Sequence, residues 1–253
     1  MKPSEATLDQ FSARYSWRQI VSFAALFTAE TLTGRKLSRL MQCQIGKPEV
    51  EVSGEENVPD NGAFTFAVNH FKNGQSLGVV SAVLTSASEK RPELKDNYLL
   101  VVGQRVSASA RSRAPLIRIS RGIARWIQNR WARNLLHIPI GNDRPSISYM
   151  RDWRRRARRQ ACILFPEGKA DMQFDSVRDG CGRWLASFDV PTIPVGVWWR
   201  DEKWHVRFGK SIEWTRRSEL RDLQLGLSIA SLLPVEIASY WQEDLTRWRA
   251  AHE

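Results

Sequence analysis

The chain has no run of apolar residues long enough to cross a bilayer. A spanning helix needs about 20 consecutive apolar residues. The longest candidate near the start, IVSFAALFTAETL from Ile20, is interrupted by Glu30 and lacks a small-residue cleavage site after its apolar part. We therefore expect neither a spanning helix nor a signal peptide, and we interpret residues 1–47 as a helical region that associates with a membrane surface.

Cysteine is scarce and odd in number. The chain has three cysteines, Cys43, Cys162 and Cys181. An odd number in a chain of this length does not favour a framework of disulfide bonds. Cys162 lies in the apolar run ACILFP, which is typical of a buried strand. We expect a reducing, intracellular setting, with Cys162 as a buried free thiol.

Acidic residues are absent from residues 97–142, where eight arginines fall, and the whole chain carries a net charge of +11. Such a balance indicates a polyanionic partner: nucleic acid, anionic lipid or a phosphorylated substrate. No nucleic-acid-binding module, zinc spacing or RNA-binding aromatic motif accompanies the charge, so we do not expect a nucleic-acid partner. An anionic membrane surface fits better, because the 11 tryptophans suit a lipid interface.

Two arginine-rich segments leave alternatives open. In residues 111–134, tryptophan and isoleucine recur at helical spacing between arginines. This pattern is typical of a helix lying in a membrane interface, and equally of a helix that packs on a sheet with solvated arginines. The second segment, 151–159, has six arginines, which could attract anionic lipid, the phosphates of coenzyme A or the acidic surface of acyl carrier protein.

Short apolar runs alternate with longer amphipathic segments from about residue 48 onward. The runs predict strands at 50–54, 63–68, 97–103, 135–140, 161–166, 192–199 and 204–209. Helices are predicted at 76–86, 116–134, 146–159, 178–188 and 235–250. This alternation predicts an α/β fold with a mainly parallel or mixed sheet flanked by helices, preceded by the short N-terminal helical region.

Four blocks place polar or turn-forming residues next to predicted strands. In an open α/β sheet, the carboxyl ends of strands deliver side chains into the crevice where ligands bind. A histidine at such an end can be a base or a structural residue, and each block alone has an ordinary packing or turn explanation. The blocks are Asn69-His70, Arg144, Phe165-Pro166-Glu167-Gly168, and VPTIPV with Pro191 and Pro194.

Taken in order, these blocks resemble those of the PlsC-like glycerolipid acyltransferase superfamily, the 1-acylglycerol-3-phosphate acyltransferases. The flanking segments EVSGEENVPDNGAFTFAVNH, DSVRDGCGRWLASFDVPTIPVGV and VRFGKSI are similar as well. The resemblance covers residues 48–213. It implies an acyltransferase α/β domain, which we place at residues 48–253, after the region 1–47.

The resemblance implies transfer of an acyl group from acyl-CoA or acyl carrier protein to the hydroxyl of a lysophospholipid such as 1-acylglycerol-3-phosphate. The enzyme would be peripheral, on the cytoplasmic side of the cell membrane, with no metal and no bound cofactor. His70 would be the general base, with Gln75 at the position of the residue that orients it. Substrate binding would involve Asn69, Arg144, Phe165, Pro166, Glu167, Gly168, Lys169, Pro191 and Pro194.

Gln75 departs from the family's pattern, which is His, four residues, then Asp. The Asp holds the imidazole and stabilises its protonated form, whereas a Gln carbonyl can hold the ring but brings no charge. Three explanations are compatible with the sequence. Gln75 supports lower or substrate-assisted activity; a carboxylate from elsewhere, such as Asp171 or Asp175, reaches His70; or the site binds lipid without turnover.

Lys169 is a second departure, since the family usually has a small polar residue there. It bears on the identity of the acceptor more than on the reaction type. An acyltransferase acting on a different hydroxyl or on an amine therefore remains an alternative, beside the inactive lipid-binding homologue.

Overall fold

The structure is a computed structural model that describes residues 49–70, 76–95, 97–105, 135–140, 147–168 and 171–250. It also describes residues 8, 10–11, 16–19, 21–22 and 25. Three of the predicted site residues, Gln75, Arg144 and Lys169, lie outside the described residues. So do Cys43, most of the region 1–47 and the arginine-rich segment 111–134.

Seven strands within the described residues form one sheet, in the order β1-β7-β6-β2-β5-β3-β4. Strands β2 to β6 all run parallel, β7 is antiparallel to β6, and the edge strand β1 is parallel to β7. The strands are β1 Val50–Ser53, β2 Thr65–Val68, β3 Tyr98–Arg105, β4 Leu135–Ile140, β5 Ala161–Leu164, β6 Thr192–Arg200 and β7 Lys203–Phe208.

All seven predicted strands are therefore confirmed, as is the mixed, mainly parallel α/β fold. The apolar runs identified them because central parallel strands are covered on both faces and consist almost wholly of apolar residues. Each residue of β2 and of β5 is buried. Together with the helices that cover the sheet, these strands form the hydrophobic core of the described chain.

Five α-helices lie within the described residues. They are α1 Ser76–Lys90, α2 Ile147–Ala157, α3 Cys181–Ala186, α4 Arg221–Ala230 and α5 Gln242–Ala250. The first three confirm predicted helices with shorter or longer ends. The helix predicted at 116–134 lies outside the described residues.

The predictions failed at the C-terminal end in two places. Helix α4 was not predicted, and the helix expected from residue 235 begins only at Gln242, after a short 3₁₀ turn at Ser239–Trp241. Gly226 lies inside α4, where glycine is about 1 kcal/mol less favourable than alanine. The indole of Trp241 packs on Gly226 so closely that a Cβ there would lie 2.0 Å from the ring. Tertiary packing thus specifies a helix that local propensity does not favour.

Two further observations concern membrane contact. None of the helices in the described parts of the chain is long and apolar enough to cross a bilayer. Near the N-terminus, Ser16 and Gln19 form reciprocal hydrogen bonds between side chain and backbone, at 2.7 and 3.3 Å, which is the capping box that begins a helix. The helical residue Trp17 behind this cap is 76% exposed.

Candidate functional site

The first and third sequence blocks meet at one edge of the sheet. Strands β2 and β5 are parallel neighbours, with Ala67 opposite Leu164. The chain therefore leaves both strands at the same level, and residues 69–70 come to lie beside the turn at 165–168. The structure brings together six of the predicted site residues at this carboxyl edge: His70 with Phe165 and Glu167 through direct contacts, and Asn69, Pro166 and Gly168 as their chain neighbours.

His70 is enclosed by this turn. The Phe165 ring and the imidazole form a T-shaped pair, with ring centroids 4.3 Å apart and an angle of 85° between the planes. The Nδ1 atom is shielded from solvent, while the residue as a whole is partly exposed. The protein thus covers Nδ1, while part of the His70 residue stays exposed to solvent.

Glu167 contacts the backbone of His70 directly. Its Oε2 accepts a hydrogen bond from the His70 N–H at 2.5 Å. The residue is only 6% exposed, and its Oε1 is also shielded from solvent. A buried carboxylate is stable only with hydrogen-bond donors around it, so Glu167 is fixed against His70.

The side chain of Asn69 forms hydrogen bonds within the sheet. Its Nδ2 donates to the carbonyl oxygen of Val197 at 2.8 Å, and its Oδ1 accepts from the Val197 N–H at 2.7 Å. Strand β2 ends at Val68, while β6 continues to Arg200. The amide of Asn69 therefore continues the pairing with β6 at the point where the main chain turns away to present His70. With 2% exposure, Asn69 holds the site in place, and this position does not favour the substrate contact predicted for it.

The turn at 165–168 depends on glycine and on a residue outside the block. Gly168 donates its N–H to the Phe165 carbonyl at 3.1 Å and has a φ of 65°, a conformation that glycine adopts without strain. Arg178 donates its N–H to the carbonyl of the buried Pro166 at 2.9 Å. The Arg178 side chain crosses Gly168, with Nη1 3.7 Å from the position that a Cβ would occupy.

Arg178 was not among the predicted site residues. Its guanidinium forms no ion pair with any described residue, and the residue is exposed beside the turn that holds His70. In the sequence it is one of many arginines, ten positions beyond Gly168. Only the return of the chain to Pro166 places it at the site.

Pro191 and Pro194 are not brought to His70. The carbonyl of Pro191 accepts from the Thr65 N–H at 2.8 Å, which places it at the start of β2, the opposite edge from His70. Pro194 lies within β6, opposite Ala67, and its carbonyl accepts from Gly209 at 2.9 Å. Both positions suit residues that support the sheet, and neither favours contact with a substrate held at His70.

Asp171 and Asp175 were considered as substitutes for the charge missing at position 75, and each accepts a hydrogen bond from the residue that follows it. Oδ1 of Asp171 accepts from the Met172 N–H, and Oδ1 of Asp175 accepts from the Ser176 hydroxyl, both at 2.7 Å. That one of them reaches His70 stays a prediction, while Glu167 contacts the His70 backbone directly.

The arginines of α2 and its C-terminal end lie on the surface and are partly neutralised. Arg154 and Arg158 both pair with Asp189, and Arg155 pairs with Asp152. The apolar side of the helix packs inward, where Trp153 meets Trp184 and Phe188. Arg151 and Arg159 remain exposed, so α2 presents charge to solvent.

The thiol of Cys162 is buried, as predicted. Burial raises its pKa from 9.0 to about 12, although the neighbouring Trp153 and Arg156 oppose this effect. A thiol that keeps its proton at neutral pH is a poor nucleophile. Among the described residues, no group of three or more histidines, cysteines or carboxylates could hold a metal ion.

Comparisons with known proteins add the following. No family model matches the chain, and no curated protein matches it. Among solved structures, it is similar to the crystal structure of the 1-acyl-sn-glycerophosphate (LPA) acyltransferase PlsC from Thermotoga maritima. The match has a TM-score of 0.47 and 13% sequence identity, and it covers 85% of this chain and 81% of that chain.

Proposed function

We propose that the protein transfers an acyl group from an acyl thioester, on coenzyme A or acyl carrier protein, to the hydroxyl of a lysophospholipid such as 1-acylglycerol-3-phosphate. The observation that carries this proposal is the convergence of two separate sequence blocks. Asn69-His70 and the turn 165–168 are almost 100 residues apart in the chain, yet Glu167 contacts the His70 N–H at 2.5 Å. They meet where ligands bind in open α/β sheets.

In the proposed reaction, His70 takes the proton of the acceptor hydroxyl as its oxygen attacks the carbonyl carbon of the thioester. The new C–O bond forms, the C–S bond breaks, and the proton passes from His70 to the departing thiolate. The fixed ring supports this role, since a general base must be held in hydrogen-bond reach of the proton it takes. The reaction needs no metal or bound cofactor.

We place an acceptor phosphate at Arg178. Its planar guanidinium lies on the rim of the turn that holds His70 and is free of ion pairs with described residues, so its donors are available for a bidentate phosphate contact. Arg144 and Lys169, which the sequence pattern also suggests for this role, would add to the same cationic rim.

The proposed setting is the cytoplasmic face of the cell membrane, with the enzyme bound peripherally. Two observations support it: the net charge of +11, which favours an anionic surface, and the exposure of Trp17 on a helical segment near the N-terminus. The lysophospholipid would then be taken from the membrane and the thioester from solution.

The first test measures acyl transfer with a panel of lysophospholipids and with acyl-CoA and acyl carrier protein thioesters, in wild type and in His70→Ala. We expect wild-type turnover and a loss of at least a hundredfold in His70→Ala, in the range that general base catalysis contributes. His205→Ala is the matched control. This histidine is also partly buried beside a glutamate, with Nδ1 3.6 Å from Glu51, but lies on β7. Turnover that survives His70→Ala would refute the base assignment.

A second candidate, a homologue that binds lipid without turning it over, is favoured by the neutral Gln75. The panel separates the two functions when it includes Gln75→Asp. If wild type is inactive with every pair while Gln75→Asp creates activity, the binding function replaces the enzymatic one.

The phosphate assignment has its own test, in which Arg178→Ala is compared with Arg216→Ala. Arg216 is a similarly exposed arginine, placed after β7, beyond the contact of Ile212 with Thr192 at the start of β6. We expect Arg178→Ala to raise KM for 1-acylglycerol-3-phosphate about tenfold or more and to leave a monoacylglycerol acceptor unaffected, since a charged hydrogen bond contributes about 1.5–3 kcal/mol. Equal effects on both acceptors, or equal effects of both variants, would contradict the assignment.

A further inference from the structure

The protonated form of His70 needs a negative charge nearby, and Gln75 does not supply one. In serine proteases, a neutral amide in place of the orienting aspartate lowers turnover about ten-thousand-fold. We infer that Glu167 supplies this charge, as a positioning residue that acts on the substrate through His70. This inference rests on the proposed role of His70 as a base.

The contact geometry places the carboxylate close to the imidazole. Oε2 of Glu167 lies 2.5 Å from the backbone nitrogen of His70. Four covalent bonds join that nitrogen to Nδ1 of the same residue, so standard bond lengths keep Oε2 within about 7 Å of the ring nitrogen. At such a distance, in a site shielded from water, opposite charges attract each other much more strongly than they do at the surface.

Because Glu167 is buried, its negative charge acts on His70 more strongly than the charge of an exposed carboxylate would. Glu167 is 6% exposed, and its Oε1 is shielded from solvent. Water and salt therefore screen its charge only weakly. The same burial argues against the role in substrate binding suggested by the sequence pattern, because Oε2 already accepts the His70 N–H and faces the protein.

Two further neighbours of His70, Phe165 and Asn69, are neutral. The Phe165 ring packs against the imidazole in a T-shaped pair, and the adjacent Asn69 amide is bound to Val197. Among the described residues, Arg178 packs beside Gly168 in this turn, and its positive charge would oppose the effect of Glu167. The balance of these groups determines how readily His70 holds a proton.

During the reaction, the proton leaves the acceptor hydroxyl and the imidazole becomes positively charged. The charge on Glu167 is fixed before this happens and needs no rearrangement, which is the condition under which electrostatic stabilisation is most effective. The carboxylate itself gains and loses no proton in this scheme. A chain with Gln75 can then retain base catalysis because the charge is supplied from the turn that follows the neighbouring strand β5.

The test uses Glu167→Gln, which keeps the size of the side chain and an oxygen that can accept the His70 N–H but removes the charge. NMR titration of the histidine ring signals in the full chain reports the protonation of His70 without requiring turnover. We expect the titration midpoint of His70 to fall by about one pH unit or more, as loss of a nearby opposite charge does. In the acyl transfer assay we expect kcat to fall by at least tenfold, KM to change less than twofold, and the acidic limb of the pH profile to move down by the same amount.

Glu51→Gln is the matched control, because Glu51 lies 3.6 Å from Nδ1 of His205. It should leave the titration of His70 unchanged. A carboxylate returned in the double variant Glu167→Gln, Gln75→Glu should restore part of the lost kcat and raise the His70 midpoint again. A purely structural role of Glu167 predicts no such rescue.

Two results would overturn the inference. One is an unchanged His70 midpoint in folded Glu167→Gln; the other is a raised acceptor KM with kcat and the pH profile unchanged, which would make Glu167 a substrate contact. If Glu167→Gln does not fold, Glu167→Asp is used instead. This variant keeps the negative charge, so we expect the titration midpoint of His70 to stay close to that of wild type. A midpoint lower by a full pH unit would also overturn the inference. If wild type transfers no acyl group with any substrate pair, the proposed function fails, and the NMR titration still decides whether Glu167 acts on His70.

Discussion

Replacement of Asn69 by alanine tests whether the amide anchors the histidine to the sheet. The side chain forms two hydrogen bonds with the backbone of Val197, at 2.8 and 2.7 Å. Alanine removes both, and Val197 is fully buried, so its N–H and C=O lose their partners in a place that water does not reach. The variant also frees the chain that leads from β2 into His70.

The expected loss of stability follows from these two orphaned groups. A buried donor or acceptor left without a partner costs about 1–3 kcal/mol, and two give about 2–6 kcal/mol. This is a large part of the total of about 5–15 kcal/mol that holds a typical domain together. We therefore expect Asn69→Ala to fold at low temperature with a clearly reduced free energy of unfolding.

Urea denaturation followed by tryptophan fluorescence measures this change. Asn57→Ala is the control, because Asn57 makes a single hydrogen bond to the carbonyl of Phe208, at 2.9 Å, and is only partly buried. We expect it to lose about 1 kcal/mol and to keep acyl transfer, whereas Asn69→Ala loses most of its kcat even under conditions in which it is folded. The reasoning is refuted if Asn69→Ala is destabilised no more than Asn57→Ala, or if its kcat is unchanged.

Three further changes probe the core. Thr192→Val removes a buried hydroxyl that has no hydrogen-bond partner among the described residues. We therefore expect an equal or higher melting temperature. A decrease of more than about 1 kcal/mol in the free energy of unfolding would contradict this expectation. Gly226→Ala introduces a Cβ 2.0 Å from the Trp241 ring. The cost of overpacking, about 1–3 kcal/mol, should exceed the gain in helix propensity, so we expect the variant to be less stable than wild type. A raised urea midpoint would disprove this expectation. Cys162 has its pKa raised to about 12, so above pH 9 the unfolded chain releases a proton that the folded chain keeps. The free energy of unfolding should therefore fall as pH rises from 9 toward 12, and this fall should be shallower in Cys162→Ala, measured by urea titration at each pH.

The strands could be predicted from the sequence because their pattern is local. A central parallel strand buries both faces, so a run such as residues 161–164 must be almost wholly apolar. Even Pro194, which usually disfavours a central strand, did not hide β6, because valine, isoleucine and tryptophan surround it. Helix α4 was missed since its signal is not local: Gly226 weakens it, and the indole of Trp241 from the next segment covers it.

The candidate site was predictable only in part, and the limit lies in side-chain contacts. The order of the blocks indicated which residues belong together, and the parallel pairing of β2 with β5 explains why Asn69-His70 and the turn 165–168 meet. The sequence could not reveal that Glu167 faces His70, because 97 residues separate them. It also could not place Arg178 beside Gly168, since that depends on the loop returning to Pro166.

The sequence by itself determined the class of fold, the strands of the sheet and the candidate base, since hydrophobic burial and strand ends leave local patterns in the chain. The tertiary structure decided what surrounds that base: an amide bound to β6, an aromatic ring, and a buried carboxylate from the turn after β5. The physical reason is that a charge acts on His70 according to its distance and its shielding from water, and neither is a property of sequence position. Because Gln75 is neutral, the negative charge that would stabilise protonated His70 has to come from another residue, and the fold brings Glu167 into contact with His70.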